Sequence, residues 1–247
     1  MGVLDECLRL TTVLDDLSAG RTNAPQAEAR LQQGGRPHHV FDPDGLLGLD
    51  PIAQVPVRLA LARIEHGQLS PGVRPVWALL LPRPGRMAGL RGPLEVNRAA
   101  LGAGAAVMTH DGTLCWLGEQ VGEGMQWRLA RAERPFPPPD PREAARQLGA
   151  VLAGAASALA DLDIAAGERP DEVHAPVLGP GFDERSQHLL DRAWLLLTTV
   201  DAALEAQSAV LHSHAVLTRE RHLRELADAA LDAISAAASW PSDALGR

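Results

Sequence analysis

The stretch from Val73 to Leu101 constrains the fold of this chain more than any other. It begins with an apolar run, Val76 to Leu81, in which both alternating sets of side chains are apolar. Because successive side chains of a strand point to opposite faces, such a run predicts a strand that is buried on both faces. We therefore expect a central strand that leads into a loop and a helix.

The loop after this strand, from Pro82 to Gly92, carries the main functional signal. It is rich in glycine and arginine and precedes a helical pattern that runs to Leu101. Glycine backbone, the positive end of a helix and guanidinium groups together favour an anion or a carboxylate. The ligand-binding candidates are Arg83, Arg86, Arg91 and Gly92. A structural connection and a subunit contact are the alternatives, because the spacing matches neither a P-loop nor a dinucleotide-binding fingerprint.

The composition excludes several chemistries. The 247 residues include no lysine and no tyrosine. A Schiff-base lysine, a P-loop lysine and a tyrosine proton donor are therefore excluded. The formal net charge is −8, and its positive part lies on arginine, so nucleic acid is not an expected partner.

The N-terminus predicts a cytoplasmic protein. Asp5 and Glu6 lie where a signal peptide would have its basic residues. No apolar run approaches the roughly 20 residues of a membrane span, so a membrane is not an expected partner either. The two cysteines, Cys7 and Cys115, form neither a disulfide framework nor a metal motif, and we interpret them as buried thiols.

The first hundred residues predict helices around a short strand. Residues 3–18 have the apolar spacing of an amphipathic helix that ends before Gly20. Asn23 can cap a second helix that ends at Gly34, and His38 to Phe41 form a short strand. The acidic segment Asp42 to Asp50 resembles a calcium loop, but its glycine is misplaced, and an ordinary turn is the preferred interpretation. We expect no metal site.

Strand patterns follow from Ala105. The segments 105–109 and 113–117 flank Asp111-Gly112, a dipeptide that favours a two-residue hairpin turn. A third strand, Met125 to Arg131, alternates apolar with polar side chains, so one of its faces is expected to be wet. The three strands predict an antiparallel meander.

The proline-rich segment from Arg134 to Pro141 predicts an extended bridge. A recognition motif for SH3-like modules is the alternative interpretation. Asp140 as N-cap and Pro141 at the first helical position start a helix that runs to about Ile164. Two more helices are predicted from Asp183 onward and over residues 218–238, and the three helices favour an antiparallel bundle.

The loop motif also carries a resemblance. Pro82-Arg83-Pro84-Gly85, followed by Gly89-Leu90-Arg91-Gly92-Pro93, the meander and the Asp-Pro helix start, resembles a family of uncharacterised actinobacterial proteins of about this length. The resemblance implies a bacterial, cytoplasmic protein and brings no activity, ligand or catalytic residue with it.

The predicted fold class is α+β. A small, mostly antiparallel sheet with flanking helices occupies residues 1–135, and a C-terminal antiparallel helical bundle occupies residues 141–240. We expect the two parts to share one continuous core, because a strand that is apolar on both faces needs cover on both.

The absence of every strong catalytic motif favours a non-enzymatic cytoplasmic interaction or scaffold protein without a cofactor. A homodimer or a protein partner is expected, since apolar side chains such as Trp240 are expected at the surface. The alternative is a binder of, or an enzyme acting on, a small anionic ligand through the Gly/Arg loop, residues 82–93.

Overall fold

The computed structural model describes residues 2–67, 69, 74–160, 173–205 and 214–242. Within these residues the elements are α1 (Gly2–Ser18), α2 (Ala24–Leu31), a 3₁₀ turn (Gln32–Gly34), β1 (His38–Phe41), β2 (Val55–Pro56), α3 (Val57–Glu65), β3 (Trp77–Leu80), α4 (Leu94–Ala103), β4 (Ala106–Thr109), β5 (Cys115–Val121), β6 (Gly124–Ala130), α5 (Pro141–Ala160), α6 (Glu184–Glu205) and α7 (His214–Ser239). They belong to two compact units. The N-terminal unit comprises residues 1–138, 178–183 and 238–247, and the helical unit comprises residues 139–177 and 184–237. The expected division into parts that share one core stays a prediction.

The strands of the N-terminal unit form one sheet in the order β2-β1-β6-β5-β4-β3. Neighbouring strands are antiparallel except β1 and β6, which are parallel. The segments predicted as a meander form β4, β5 and β6, which pair in chain order. The α+β class and the mostly antiparallel sheet are therefore confirmed.

The strand predicted to be central, β3, lies at an edge of the sheet and pairs with β4. Its residues are nevertheless buried on both faces. Its outer edge is covered, because the Leu79 amide donates a hydrogen bond of 2.9 Å to the Ser239 hydroxyl. The apolar run predicted the burial correctly and the position wrongly, since a covered edge strand needs the same residues as a central one.

The connection between β4 and β5 is wider than the predicted two-residue turn. The Thr109 amide donates to the Leu114 carbonyl at 3.0 Å, which closes a longer loop. Gly112 has a φ of +79°, and Asp111 is not among the residues with positive φ. The predicted turn needs positive φ at both positions. The Asp111 carboxylate instead accepts hydrogen bonds from the Thr113 amide and hydroxyl, which stabilise the wider loop.

One face of the sheet packs against α1. Three tryptophans point to this face and are fully buried: Trp77, Trp116 and Trp127. The Trp77 indole donates to the Ser18 hydroxyl at the end of α1 at 2.9 Å. Each such indole removes roughly 150–250 Å² from water, so this face forms a large part of the core.

Both cysteines are free and buried, as predicted. Burial raises the pKa of the Cys115 thiol to about 12 and raises the pKa of the Cys7 thiol as well. A thiolate is the reactive form of cysteine, so both side chains behave as small apolar groups.

The helical unit begins at the predicted cap. The Asp140 carboxylate accepts hydrogen bonds from the Arg142 and Glu143 amides at 2.9 and 3.0 Å. These bonds satisfy backbone donors that have no partner inside the helix. The Arg219 guanidinium of α7 donates to the Ala203 carbonyl near the end of α6 at 3.5 Å. The C-terminal helices pack together, so the predicted helical bundle is confirmed.

Two predicted helix ends can be compared with the structure. α7 begins at His214, earlier than the predicted residue 218, whereas the predicted end of α5 near Ile164 lies outside the described residues. None of the helices, as far as the structure describes them, is long and apolar enough to cross a membrane.

Candidate functional site

The Gly/Arg loop begins with a tight turn. The amides of Arg83 and Arg86 each donate to the other residue's carbonyl at 2.8 Å. Pro84 and Gly85 lie between them, with Gly85 at a φ of +82°, which is the pattern of a type II turn. The Arg83 guanidinium donates to the Leu81 carbonyl at 3.2 Å. The turn therefore holds two of the predicted ligand-binding arginines side by side.

Arg91 lies further along the loop and contacts the proline-rich segment. Its guanidinium carbon is 5.1 Å from the centroid of the Phe136 ring, within the range of a cation–π interaction. The Phe136 amide donates to the Gly89 carbonyl at 2.9 Å. A Cβ on Gly89 would lie 2.7 Å from the Phe136 carbonyl oxygen, so this close approach requires glycine. The loop and the proline-rich segment, which are far apart in sequence, form one surface.

Gly92 lies beside a carboxylate at the start of α4. The Glu133 amide donates to the Gly92 carbonyl at 2.9 Å, and a Cβ on Gly92 would lie 2.7 Å from a Glu133 carboxylate oxygen. Glu95 adds a second carboxylate in the first turn of α4. A helix start attracts negative charge, and here the chain supplies it. This arrangement weighs against an external anion, and the binding role of the four candidate residues stays a prediction.

The proline-rich segment does not expose an uninterrupted row of prolines. Pro135 and Pro138 are buried, whereas Phe136 is 62% exposed. SH3-like modules bind prolines that a polyproline helix presents to solvent. The burial of these two prolines therefore favours the structural bridge over the recognition motif.

The face of the sheet opposite α1 is buried at one end and exposed at the other. Strand register places one row of side chains on β1, β6, β5, β4 and β3: Phe41, Arg128, Leu117, Ala106 and Leu80. At the β3 end, the row packs with Val96 and Ala100 of α4 in a buried cluster. At the β1 end, Arg128 is exposed and Phe41 is half-buried. The same face is therefore core at one end and surface at the other.

A cavity of about 510 Å³ lies at the open end of this face, and its lining reaches Val3 of α1 and Gln120 at the end of the sheet. We call it the sheet groove. Its apolar lining includes Phe41, Leu117 and Ala103, and its charged lining consists of Arg128 and Glu119. The volume lies within the range of ligand sites in proteins, which are mostly apolar with a few polar groups.

The two charges of the sheet groove have opposite signs and lie on the same face. Arg128 is opposite Leu117, and Glu119 is opposite Gln126, so Arg128 and Glu119 are diagonal neighbours. The Cβ atoms of such neighbours are roughly 7–8 Å apart. Neither side chain forms an ion pair or a hydrogen bond with any residue that the structure describes. Both charges therefore face the groove and solvent.

A buried row of polar side chains lies on the opposite face, which packs against α1. His38 Nδ1 accepts a hydrogen bond of 3.1 Å from the Trp127 indole, and His38 Nε2 lies 3.7 Å from a Glu6 carboxylate oxygen. Burial lowers the pKa of His38 to about 4, and the charges of Arg36 and Arg9 act in the same direction. Burial raises the pKa of Glu6. Because His38 is only 2% exposed, these side chains stabilise the core and are poorly placed to contact a substrate.

The segment that resembles a calcium loop is a turn organised by Asp42. One carboxylate oxygen accepts from the Leu46 amide at 2.8 Å, and the other accepts from the Leu47 and Leu49 amides at 2.9 and 3.3 Å. Across the described residues, no group of three or more His, Cys, Asp or Glu side chains is arranged to hold a metal. The hydrogen bonds of Asp42 give this segment the geometry of an ordinary turn.

The sheet groove was missed by sequence reasoning, although part of its signal was present. The alternation in β6 predicts one wet face, and Gln126 and Arg128 lie on that face. Phe41 and Glu119 come from other strands, and only the register brings them beside Arg128.

Two family models match consecutive parts of the chain. One is described as Rv1486c-like protein, N-terminal domain, and matches residues 9–144. The other is described as Rv1486c-like protein, C-terminal domain, and matches residues 142–235. The two matches meet in the first turn of α5. No curated protein and no solved structure matches the chain.

Proposed function

We propose that this chain, which belongs to the Rv1486c-like protein family, is a non-enzymatic interaction protein that docks a partner in the sheet groove. The family is uncharacterised, as the loop motif indicates. The chain's place of action in this proposal is the cytoplasm.

The observation that carries this proposal is the half-covered sheet face. α4 buries the row of side chains at Leu80 and Ala106 and leaves the same row uncovered at Arg128 and Phe41. An exposed apolar patch with polar residues at its rim often marks an interaction site. The charges at its rim give such a surface orientation and specificity.

The buried groups support a non-catalytic role. A general base must lie within hydrogen-bonding reach of a substrate proton. His38 and Glu6 are two of the groups in the N-terminal unit whose pKa values are shifted, and both are enclosed in the core. The two thiols are enclosed as well.

A second candidate function is the binding of a small anion, or an enzyme acting on one, by the Gly/Arg loop. The turn that pairs Arg83 with Arg86 favours it, because neighbouring guanidiniums suit a phosphate or a carboxylate. Titration calorimetry with inorganic phosphate tests this candidate. We expect heat from the wild type and none from Arg86→Ala/Arg91→Ala if the loop is the site, and no heat from either protein if it is not.

Site-specific photocrosslinking tests the main proposal. A photoreactive amino acid is placed at Gln126 or Ala103 in the sheet groove, and at Arg142 on α5 as a control, in a bacterial host related to the family. We expect a discrete crosslinked protein from both groove positions and none from the control. Crosslinks at the control alone, or at no position, would contradict the proposal.

A further inference from the structure

We propose that the sheet groove docks a second copy of this chain through a two-fold interface, in which Arg128 of each copy pairs with Glu119 of the other. This inference rests on the interaction function proposed above and names its partner. The observation behind it is the pair of opposite charges that the strand register places on one apolar face.

A two-fold interface uses the same patch on both copies, so the patch must be complementary to itself. The sheet groove meets this condition in charge, because it has one cation, Arg128, and one anion, Glu119, on the same face. Neither is paired within the described chain. Rotation of a second copy by 180° about an axis between the two side chains places each charge opposite its counterpart.

The apolar surroundings are also self-complementary. Val121 at the end of β5 is 54% exposed. It lies on the same face as Glu119, two residues further along the strand. Together with Phe41 it supplies apolar area around the charges, which is the composition of an interface with a desolvated centre. A rim of apolar side chains would exclude water from the ion pairs and strengthen them.

A small ligand is the weaker occupant. An anionic ligand suited to Arg128 would meet the Glu119 carboxylate on the same face, and a cationic ligand would meet the guanidinium. A second copy brings both charges at the spacing that the groove already has. A different protein partner needs a surface of its own with that spacing, and it is an outcome that the experiment separates.

Sedimentation velocity on the purified full chain over a range of concentrations tests the inference. We expect a monomer–dimer equilibrium in the wild type. Arg128→Glu and Glu119→Arg should each weaken the dimer by at least about tenfold, because each places like charges opposite one another. The double variant Arg128→Glu/Glu119→Arg should restore the dimer, because the charges are exchanged and remain complementary.

The matched control is Arg142→Glu, which reverses an exposed arginine on α5 that the inference does not use. It should dimerise like the wild type. Circular dichroism on each variant checks that the fold is retained, as expected for exposed positions. A chain that stays monomeric at every concentration, a dimer that tolerates both reversals, or a double variant as weak as the singles would each overturn the inference.

Crosslinking separates this inference from the broader function. If the photoreactive group at Gln126 captures a second copy of the chain, both stand. If it captures a different protein, the interaction function stands and the second-copy inference fails. If it captures nothing while the chain sediments as a monomer, both fail.

Discussion

The two ends of the sheet face opposite α1 differ in burial. Leu80 and Leu117 are separated by a single strand, and both are buried under α4. One strand further, Arg128 occupies the same row and is exposed. The reach of α4 therefore decides which part of the row is buried and which part is exposed. The variants below test that separation.

The largest expected effect is at the covered end. Leu80→Ala removes a side chain with no exposure from the cluster under α4. We expect the free energy of unfolding to fall by about 2–5 kcal/mol, since the cavity cannot fully collapse. Leu101→Ala, the same change at an exposed position of α4, should cost less than about 1 kcal/mol. Urea denaturation measures both, and equal losses would contradict the comparison.

A second test contrasts adjacent histidines on opposite faces. The pKa of His38 is about 4 in the folded state, below its ordinary value of about 6.5. The unfolded chain therefore binds more protons between these values, so stability present above pH 6.5 is lost as the pH falls towards 4. The loss is up to about 3 kcal/mol.

His38→Gln should remove this component, whereas His39→Gln, on the open face with Gln126 and Glu119, should retain it. Burial of Glu6 has the opposite sign, because its raised pKa costs stability as the pH rises above 4.5. The difference in the free energy of unfolding between wild type and variant, measured by urea denaturation from pH 7 to pH 4, gives the contribution of His38. Equal profiles for all three proteins would contradict the prediction.

A third test concerns the loop that connects β3 to α4. Gly89→Ala adds a Cβ that meets the Phe136 carbonyl at a φ of +89°. We expect a loss of about 1–3 kcal/mol from steric overlap and backbone strain together. Gly85→Ala has a similar φ of +82° with nothing within 4 Å, and strain alone should cost about 1 kcal/mol. Thermal unfolding compares the two, and a larger loss at Gly85 would mean that the contact with Phe136 is not needed.

The smallest expected effect on stability is in the sheet groove. Arg128→Ala should change the free energy of unfolding by less than about 0.5 kcal/mol at low protein concentration, because the side chain is exposed and unpaired within the described chain. The same variant should weaken self-association in sedimentation. A large loss of stability would mean that Arg128 belongs to the core, and it would contradict the difference in burial between the two ends of the row.

Local features of the fold were predictable because their causes are local. Asn23 caps α2 through the Gln26 amide at 3.0 Å, and Asp140 caps α5, both as predicted. A cap depends on a side chain and a backbone donor two or three residues away. The strands of the meander and the burial of both cysteines follow from equally short patterns. The predicted turn at Asp111 failed for a local reason as well, since Thr113 supplies a competing hydrogen bond.

Predictions that needed distant partners were less successful. The run from Val76 to Leu81 predicted burial. It did not predict that β3 lies at an edge of the sheet, where Leu79 forms a hydrogen bond with Ser239. Trp240 was expected at the surface, whereas it is half-buried with its ring centroid 5.3 Å from that of His110. The Gly/Arg loop leads into α4 as predicted, but its contact with Phe136 spans more than forty positions of sequence. No periodicity encodes such a contact.

The sequence by itself determined most of the elements, the α+β class and the family, because capping, hydrophobic periodicity and a motif act over a few residues. Only the tertiary structure decided the strand order, the covered edge and the sheet groove. Phe41, Arg128 and Glu119 become neighbours through β1, β6 and β5. Strand pairing brings together side chains that are separated along the chain, and α4 is too short to cover all of them.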